Sequence, residues 1–257
     1  MRRGLLVLVL MLTGCGATGG ATGGAAGGAA GGAGDPLARP LTVFAAASLA
    51  GSFDELARAY EQAHPGAQVR LSFAGSQTLV AQVQQGAPAD LVATADTTSM
   101  DALAGELAAP AQVLARNRLA IVTAPGNPEG LRTLADLARP GVTVVLAGPA
   151  VPAGRAARAA LTAAGVQVAP VSEEQDVKAV VQRVALGEAD AGIAYATDVA
   201  AARGSVEGTD LPGASNAYPA AVLRDAEAPE AARAFLDLAL SPEGQRVLAS
   251  YGFLPPA

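Results

Sequence analysis

The sequence has very few of the residues on which most enzymes and metalloproteins depend. Its 257 residues include one cysteine, one histidine and no tryptophan, and aromatic residues make up only 4%. A single cysteine excludes an intramolecular disulfide, and with a single histidine it excludes a zinc site of the usual Cys/His kind. The sequence also has no P-loop and no G-x-S-x-G nucleophile motif. Little catalytic chemistry is therefore available to this chain.

Basic residues are also in the minority. The chain has 17 lysines and arginines against 23 aspartates and glutamates, which gives a formal net charge of −6. No stripe of basic residues is visible, so we expect no nucleic-acid partner. An acidic protein can still bind a small anion, because net charge governs the far field whereas a binding site acts locally.

The first 40 residues are typical of export and anchoring rather than of a fold. Arg2 and Arg3 precede the apolar run from Leu5 to Leu12, which is too short to span a membrane. The run ends in Leu-Thr-Gly-Cys, which resembles the bacterial lipobox and implies cleavage before Cys15 and lipidation of its sulfur. We predict a signal peptide over 1–14 and a lipid-anchored, extracytoplasmic protein. An ordinary signal peptide with an incidental cysteine is the alternative.

The segment after Cys15 predicts a flexible connection to that anchor. Residues 16–34 are glycine, alanine and threonine only, and such a composition cannot bury enough apolar surface to order itself. We therefore assign 15–40 to the lipidated cysteine and a Gly/Ala-rich tether.

From Leu41 onward, short apolar runs alternate with helical patterns, which predicts an α/β fold with parallel sheets. The predicted strands are 41–47, 68–73, 89–95, 118–125, 142–148, 191–197 and 218–223. Helices are expected from about 49, before Gly86, around 131–138, and over 154–164, 177–186, 228–240 and 242–250. Two β/α runs, 41–95 and 118–197, predict two lobes with a ligand cleft between them, each lobe a mostly parallel sheet flanked by helices. We place lobe I at 41–117 plus about 224–257, and lobe II at 118–223.

Four predicted helix starts directly follow strands or short loops, and these are the candidate binding features. They are Ser48, Ser76, the turn at 151–154, and Asp176-Val177. The start of a helix offers free backbone N–H groups and the positive end of the macrodipole. Several such ends aimed at one cleft can bind an anion without any formal positive charge. Taken singly, each serine is more often a helix cap, and we keep Ser48 as the cap of the first helix.

Seven segments spread over the folded part can be compared with known families. In order, they are VFAAASL (43–49), SFAGSQTL (72–79), GAPADLVATAD (86–96), GPAVPAG (148–154), EQDVKA (174–179), GIAYATD (192–198) and SPEGQRVLASYGF (241–253). Together they resemble the periplasmic molybdate-binding proteins of ABC importers. The resemblance implies a type II-like periplasmic-binding-protein fold, a monomer without cofactor, and molybdate or tungstate as ligand, with molybdenum present only within the bound anion. It also implies delivery of the ligand to permease subunits. Position by position, the family's ligand residues fall on Ser48, Ser76, Ala153, Val177 and Tyr195, and only the resemblance promotes the tyrosine.

One departure from the family and several alternative functions stay open at this point. Arg155 follows the Pro-Ala-Gly turn where an apolar or aromatic residue is more usual, and an inward arginine would alter the selectivity of the site. Another tetrahedral anion such as sulfate is the main alternative ligand. A serine hydrolase is disfavoured because His64, in a His-Pro-Gly turn, is a poor general base. A structural lipoprotein or adhesin would not need paired serines at strand ends.

Overall fold

The computed structural model describes residues 35–256, and the predicted signal peptide, Cys15 and most of the tether lie outside that range. The described chain contains eight strands, and their bounds are β1 Leu41–Ala46, β2 Val69–Ala74, β3 Leu91–Ala93, β4 Gln112–Thr123, β5 Val144–Ala147, β6 Ser172–Glu174, β7 Ala191–Tyr195 and β8 Glu207–Val222. Its eight α-helices are α1 Ala50–Ala63, α2 Ser76–Gln84, α3 Thr97–Asp101, α4 Pro152–Ala163, α5 Val177–Ala185, α6 Ala196–Ala201, α7 Pro229–Leu240 and α8 Pro242–Ser250. Short 3-10 turns cover Pro36–Ala38, Ala47–Leu49, Ala104–Glu106 and Leu134–Ala138.

Local sequence signals account for most of the helix boundaries. The apolar face of α1 is buried, and its Phe53 and Tyr60 rings both pack edge-on against Phe235 of α7 at 5.8 Å. Ser241 caps α8 by accepting a hydrogen bond from the Gly244 N–H at 3.1 Å, and a proline follows at the first helical position, as predicted. The predicted helix around 131–138 is only a short 3-10 turn, whose N-cap forms a capping box with Asp136.

The strands form one eight-stranded sheet with two parallel halves. Its order is β2-β1-β3-β8-β4-β7-β5-β6. In one half, β1 pairs in parallel with β2 and β3, and in the other β5 pairs in parallel with β6 and β7. The two long strands β4 and β8 are antiparallel to each other and run through both halves. The protein is therefore a two-lobed α/β fold, which confirms the predicted fold class.

The long strands cross from one lobe to the other at an interruption in their pairing. Arg118 pairs with Ser215, but Ala120 pairs with Asp210, so 211–214 have no partner in the β4–β8 ladder. This segment contains Pro212, which lacks an N–H, and Gly213, whose φ of 78° is in the left-handed region. Residues 220–222 pair with β3, and the lobe boundary near 223 stays a prediction.

The chain before β1 and the starts of the two long strands differ from the sequence expectations. Residues 35–40 were assigned to the tether, yet Pro36–Ala38 forms a turn, and the Tyr60 hydroxyl donates to the Leu37 carbonyl at 3.0 Å. The strands β4 and β8 begin at 112 and 207 rather than 118 and 218.

Across residues 35–256 no helix has both the length and the apolar character needed to cross a membrane.

Candidate functional site

A small cavity lies where β1, β2 and β7 end and where α2, α4 and α5 begin. The empty space of the cavity, together with part of its opening to solvent, is about 230 Å³. All five residues singled out from the sequence line it. They are Ser48, Ser76, Ala153, Val177 and Tyr195. The fold thus brings together residues that are up to 147 positions apart in the chain, since 195 − 48 = 147.

Ser48 lies in the wall formed by the first lobe, although it does not cap a helix. It is the middle residue of the 3-10 turn Ala47–Leu49, and α1 begins afterwards at Ala50 with no side-chain cap, so the predicted cap is wrong. The turn lets the chain leave β1 before α1 starts, and it presents the Ser48 side chain to the cavity. The Ser48 hydroxyl is 2.9 Å from the hydroxyl of Tyr218.

Ser76 lies in the same wall and is held by the backbone. It is the first residue of α2, preceded by Gly75 as N-cap, and it is 1% exposed. Its hydroxyl oxygen accepts a hydrogen bond from the Ala95 N–H at 3.0 Å. Because a backbone N–H can only donate, this contact occupies a lone pair of the oxygen and leaves the hydroxyl proton free to be donated elsewhere.

The wall formed by the second lobe offers mainly backbone N–H groups. Ala153 is the second residue of α4, whose N-cap Val151 makes no side-chain cap. Val177 is the first residue of α5, and the cap of that helix, Asp176, accepts from the Ala179 N–H at 2.9 Å rather than from Val177. The first N–H groups of a helix have no acceptor within the helix. Both helix starts therefore present donors and a positive dipole end to the cavity.

Gly154 explains why α4 can begin so close to the sheet. A Cβ atom at this position would overlap two carbonyl oxygens, that of Ala147 at the end of β5 and that of Gly148 just after the strand. Only glycine allows this approach, and it sets the position of the neighbouring Ala153 N–H.

Tyr195 closes the cavity at the end of β7, and its hydroxyl is unusual in its surroundings. The residue is 1% exposed, and within residues 35–256 its hydroxyl oxygen is buried without a hydrogen bond. Burial raises the pKa of Tyr195 well above its usual value, with further contributions from Tyr218 and Asp198. The phenol therefore stays protonated and able to donate. A buried hydroxyl without a partner is costly, which is the situation that a bound acceptor would relieve.

The electrostatic character of the cavity comes from dipoles rather than formal charge. Its lining contains no lysine, arginine or histidine, and its one charged member, Asp176, caps α5 with one of its oxygens. Hydroxyl and backbone N–H donors dominate the wall. Such a set matches a small anion whose oxygens only accept hydrogen bonds.

A larger cleft, of about 740 Å³, opens at the opposite ends of β1 and β3. Its lining includes the carboxylates of Asp90, Glu106, Asp225 and Glu227. Two of the Asp90 contacts are structural, because its oxygens accept from the Thr42 and Ala228 N–H groups. Acidic walls repel an anion, and no group of three or more metal-ligating side chains is found among the described residues. This cleft is not the candidate site.

The serines have no catalytic base beside them. The Ser48 and Ser76 hydroxyls contact a tyrosine hydroxyl and a backbone N–H. His64 lies at the end of α1 with its ring against Tyr60, at a centroid distance of 4.5 Å. A serine nucleophile needs a base within hydrogen-bond reach, so the arrangement is suited to binding.

Comparison with known proteins identifies the family of the chain. Residues 41–254 match the family described as bacterial extracellular solute-binding protein. The chain belongs to this family. It is a family of binding proteins, which confirms the expectation that the chain is not an enzyme.

Individual relatives of this solute-binding protein are more specific. The chain is 41% identical over 224 residues to the molybdate-binding protein of Mycobacterium tuberculosis, covering 85% of this chain and 86% of the relative. It is 32% identical over 231 residues to the molybdate-binding protein of Escherichia coli, covering 83% and 88%. The resemblance seen in the sequence is confirmed.

Solved structures share the fold at lower identity. The periplasmic molybdate-binding protein of Azotobacter vinelandii has a TM-score of 0.75 and 21% identity, covering 84% of this chain and 100% of that one. The sulfate-binding protein of Mycobacterium tuberculosis has a TM-score of 0.76 and 21% identity, covering 84% and 86%. At this identity the likeness establishes the fold of a solute-binding protein.

Arg155, the departure from the family pattern, points across the cleft to the other lobe. Its Nε donates to Asp96 Oδ2 at 2.8 Å, and its Nη2 donates to the Ser99 hydroxyl at 2.8 Å. Asp96 also caps α3 through its other oxygen. Arg155 is not among the residues that line the cavity. Its charge is paired with Asp96, 59 residues away, so the arginine joins the two lobes outside the cavity wall.

Sequence reasoning missed the polar residues behind the cavity. Tyr218 and Asn117 are both 0% exposed and connect to Ser48 through hydrogen bonds. Tyr218 is part of an apolar run, YPAAVL, which gave only a strand signal. Nothing in the local pattern indicates that its hydroxyl reaches Ser48, because the contact spans 170 residues of sequence.

Proposed function

We propose that this solute-binding protein captures molybdate, and also tungstate, and delivers it to the permease of an ABC importer. One observation carries the proposal: five hydrogen-bond donors from both lobes line a single small cavity that contains no lysine, arginine or histidine. The close relatives whose names specify molybdate support the choice of ligand.

All five groups can donate a hydrogen bond, and this excess of donors favours fully deprotonated dianions. The N–H groups of Ala153 and Val177 only donate, and the oxygen of Ser76 already accepts from Ala95. Phosphate at neutral pH retains a proton that needs an acceptor. Burying that proton unpaired costs about 1–3 kcal/mol, or roughly ten- to a hundred-fold in affinity. Molybdate, tungstate and sulfate carry no such proton.

Sulfate is the alternative ligand, because it makes the same hydrogen-bond demands as molybdate. Discrimination between the two must come from size, and a sulfate-binding protein is among the structures with this fold. The 41% identity to a molybdate-binding relative, against 21% to the sulfate-binding structure, favours the larger anion.

Competition calorimetry at pH 7.5 tests the proposed function. The protein is first saturated with molybdate and is then titrated with tungstate, sulfate and phosphate in turn. We expect tungstate to compete at comparable concentration, and phosphate to fail. Displacement by phosphate would refute the argument from excess donors, whereas displacement by sulfate would refute the size argument and leave the site chemistry intact.

We also propose that the protein works as a monomer outside the cytoplasm and is held to the membrane through lipidated Cys15. The lipobox resemblance at Leu12–Cys15 and the Gly/Ala/Thr composition of 16–34 support this arrangement. A flexible tether would let the folded part reach both solute and permease. Fatty-acid labelling of cells should label the natural protein and not Cys15→Ser, and equal labelling of the two would contradict the anchor.

A further inference from the structure

Two buried polar residues lie behind the cavity where the long strands pass between the lobes. Asn117 of β4 and Tyr218 of β8 are both 0% exposed, and neither lines the cavity. The Asn117 Nδ2 donates to the Tyr218 hydroxyl at 3.3 Å and to the Thr197 hydroxyl at 2.7 Å. The Tyr218 hydroxyl in turn is 2.9 Å from that of Ser48.

The orientation of the Asn117 amide is fixed by the backbone. Its Oδ1 accepts a hydrogen bond from the Arg118 N–H at 2.9 Å. Since a backbone N–H cannot accept, the side-chain oxygen must face it, and the Nδ2 group must face Tyr218 and Thr197. Asn117 is therefore a donor toward the Tyr218 oxygen.

This donor favours one arrangement of the remaining protons in the chain. A tyrosine hydroxyl has one proton, and when its oxygen accepts from Asn117 that proton is available for Ser48. The Ser48 oxygen then accepts from Tyr218, and the Ser48 proton is left for the cavity. The opposite direction would leave the Ser48 oxygen lone pairs facing the bound anion, which is repulsive.

We propose that Asn117 and Tyr218 are positioning residues that fix the direction of the Ser48 hydroxyl, so that it donates to the bound oxyanion and cannot accept from it. The inference rests on the proposed function. It adds that the direction of the Ser48 hydroxyl depends on two residues that do not line the cavity. Ser76 reaches the same state more simply, through the Ala95 N–H.

The test measures selectivity in Tyr218→Phe, which removes the donor to Ser48 while keeping a ring that packs against Tyr195 and Phe253. The Ser48 oxygen is then free to accept the proton of hydrogen phosphate. We expect weaker molybdate binding, and the ratio of the phosphate to the molybdate dissociation constant should fall about ten-fold, which is one hydrogen bond to a charged group. Tyr60→Phe is the matched control, because Tyr60 is equally buried and its hydroxyl serves only the Leu37 carbonyl.

A double variant separates positioning from general structural damage. If Tyr218 acts through Ser48, then Tyr218→Phe should change neither affinity nor the phosphate ratio when Ser48 is already alanine. An unchanged ratio in Tyr218→Phe, or an equal effect in both backgrounds, would overturn the positioning role. If Tyr218→Phe lacks a cooperative melting transition, Asn117→Ala is measured instead, with a smaller fall in the same ratio expected and no fall overturning the proposal. Failure of the natural protein to bind any oxyanion would refute the proposed function itself.

Discussion

The two walls of the cavity supply the same chemistry by different means. The wall of the first lobe uses side chains, the hydroxyls of Ser48 and Ser76, whose oxygens contact Tyr218 and the Ala95 N–H. The wall of the second lobe uses mainly the backbone, at Ala153 and Val177, where the side chains are apolar. A side-chain donor can be removed by one substitution, whereas a backbone donor survives almost any substitution except proline. The two walls should therefore respond to mutation in different ways.

The largest expected effect is on the side-chain wall. Ser48→Ala and Ser76→Ala should each weaken molybdate binding about ten-fold or more, since a hydrogen bond to a charged group contributes roughly 1.5–3 kcal/mol. The double variant should lose about a hundred-fold or more if the two contributions are independent. Titration calorimetry gives the affinities and thermal melting gives the stability. Melting temperatures that fall in step with affinity would mark the serines as merely structural.

The backbone wall should respond to proline alone. Val177→Pro removes one N–H at the first position of α5, where proline is well tolerated. The preceding Asp176, at φ −152° and ψ 171°, already has the extended conformation that proline requires before it. We expect about ten-fold weaker binding, because one charged hydrogen bond is lost. The matched Val177→Ala keeps the N–H and should bind within about two-fold of the natural protein, and equal losses in both would contradict a backbone contact.

Tyr195→Phe should have a smaller effect and a different signature. The hydroxyl has no partner within the described residues to orient it, unlike those of the serines, so ordering it on binding offsets part of its contribution. We expect about five-fold weaker binding, near 1 kcal/mol. The melting temperature of the ligand-free protein should not fall, because the substitution removes a buried hydroxyl that makes no hydrogen bond within the described residues. A lower melting temperature without ligand would show that this hydroxyl has a protein partner.

The smallest expected effect concerns the ion pair between Arg155 and Asp96, which joins the two lobes. Asp96→Asn keeps an N-cap for α3 but removes the charge that pairs with Arg155. Partly exposed ion pairs contribute roughly 0.2–1 kcal/mol, so binding should weaken by up to about five-fold. If Arg155 instead reached the anion once released, Asp96→Asn would bind more tightly. The sign of the change in calorimetry therefore decides whether this arginine bridges the lobes or contributes to selectivity.

The fold class and four of the five candidate site residues follow from local sequence patterns, and Tyr195 follows from the family resemblance. Strand ends followed by helix starts are local patterns, as are the serines after β1 and β2 and the Pro-Ala-Gly turn before α4. The length of β8 was missed, because the Gly, Pro, Asp and Asn residues of 207–217 are typical of turns. On either side of the interruption at 211–214, this stretch pairs with β4, which a local pattern does not indicate.

Only the tertiary structure decided how the site residues are held. Ser48 proved to lie in a 3-10 turn rather than at a cap, and its hydroxyl meets Tyr218 across 170 residues of sequence. Arg155 pairs with Asp96, 59 residues away, and no periodic pattern in the sequence indicates this contact. Local patterns fix where backbone donors are free, because a helix start depends on neighbouring residues. The direction of a hydroxyl proton depends on distant donors, and the fold alone brings them within reach.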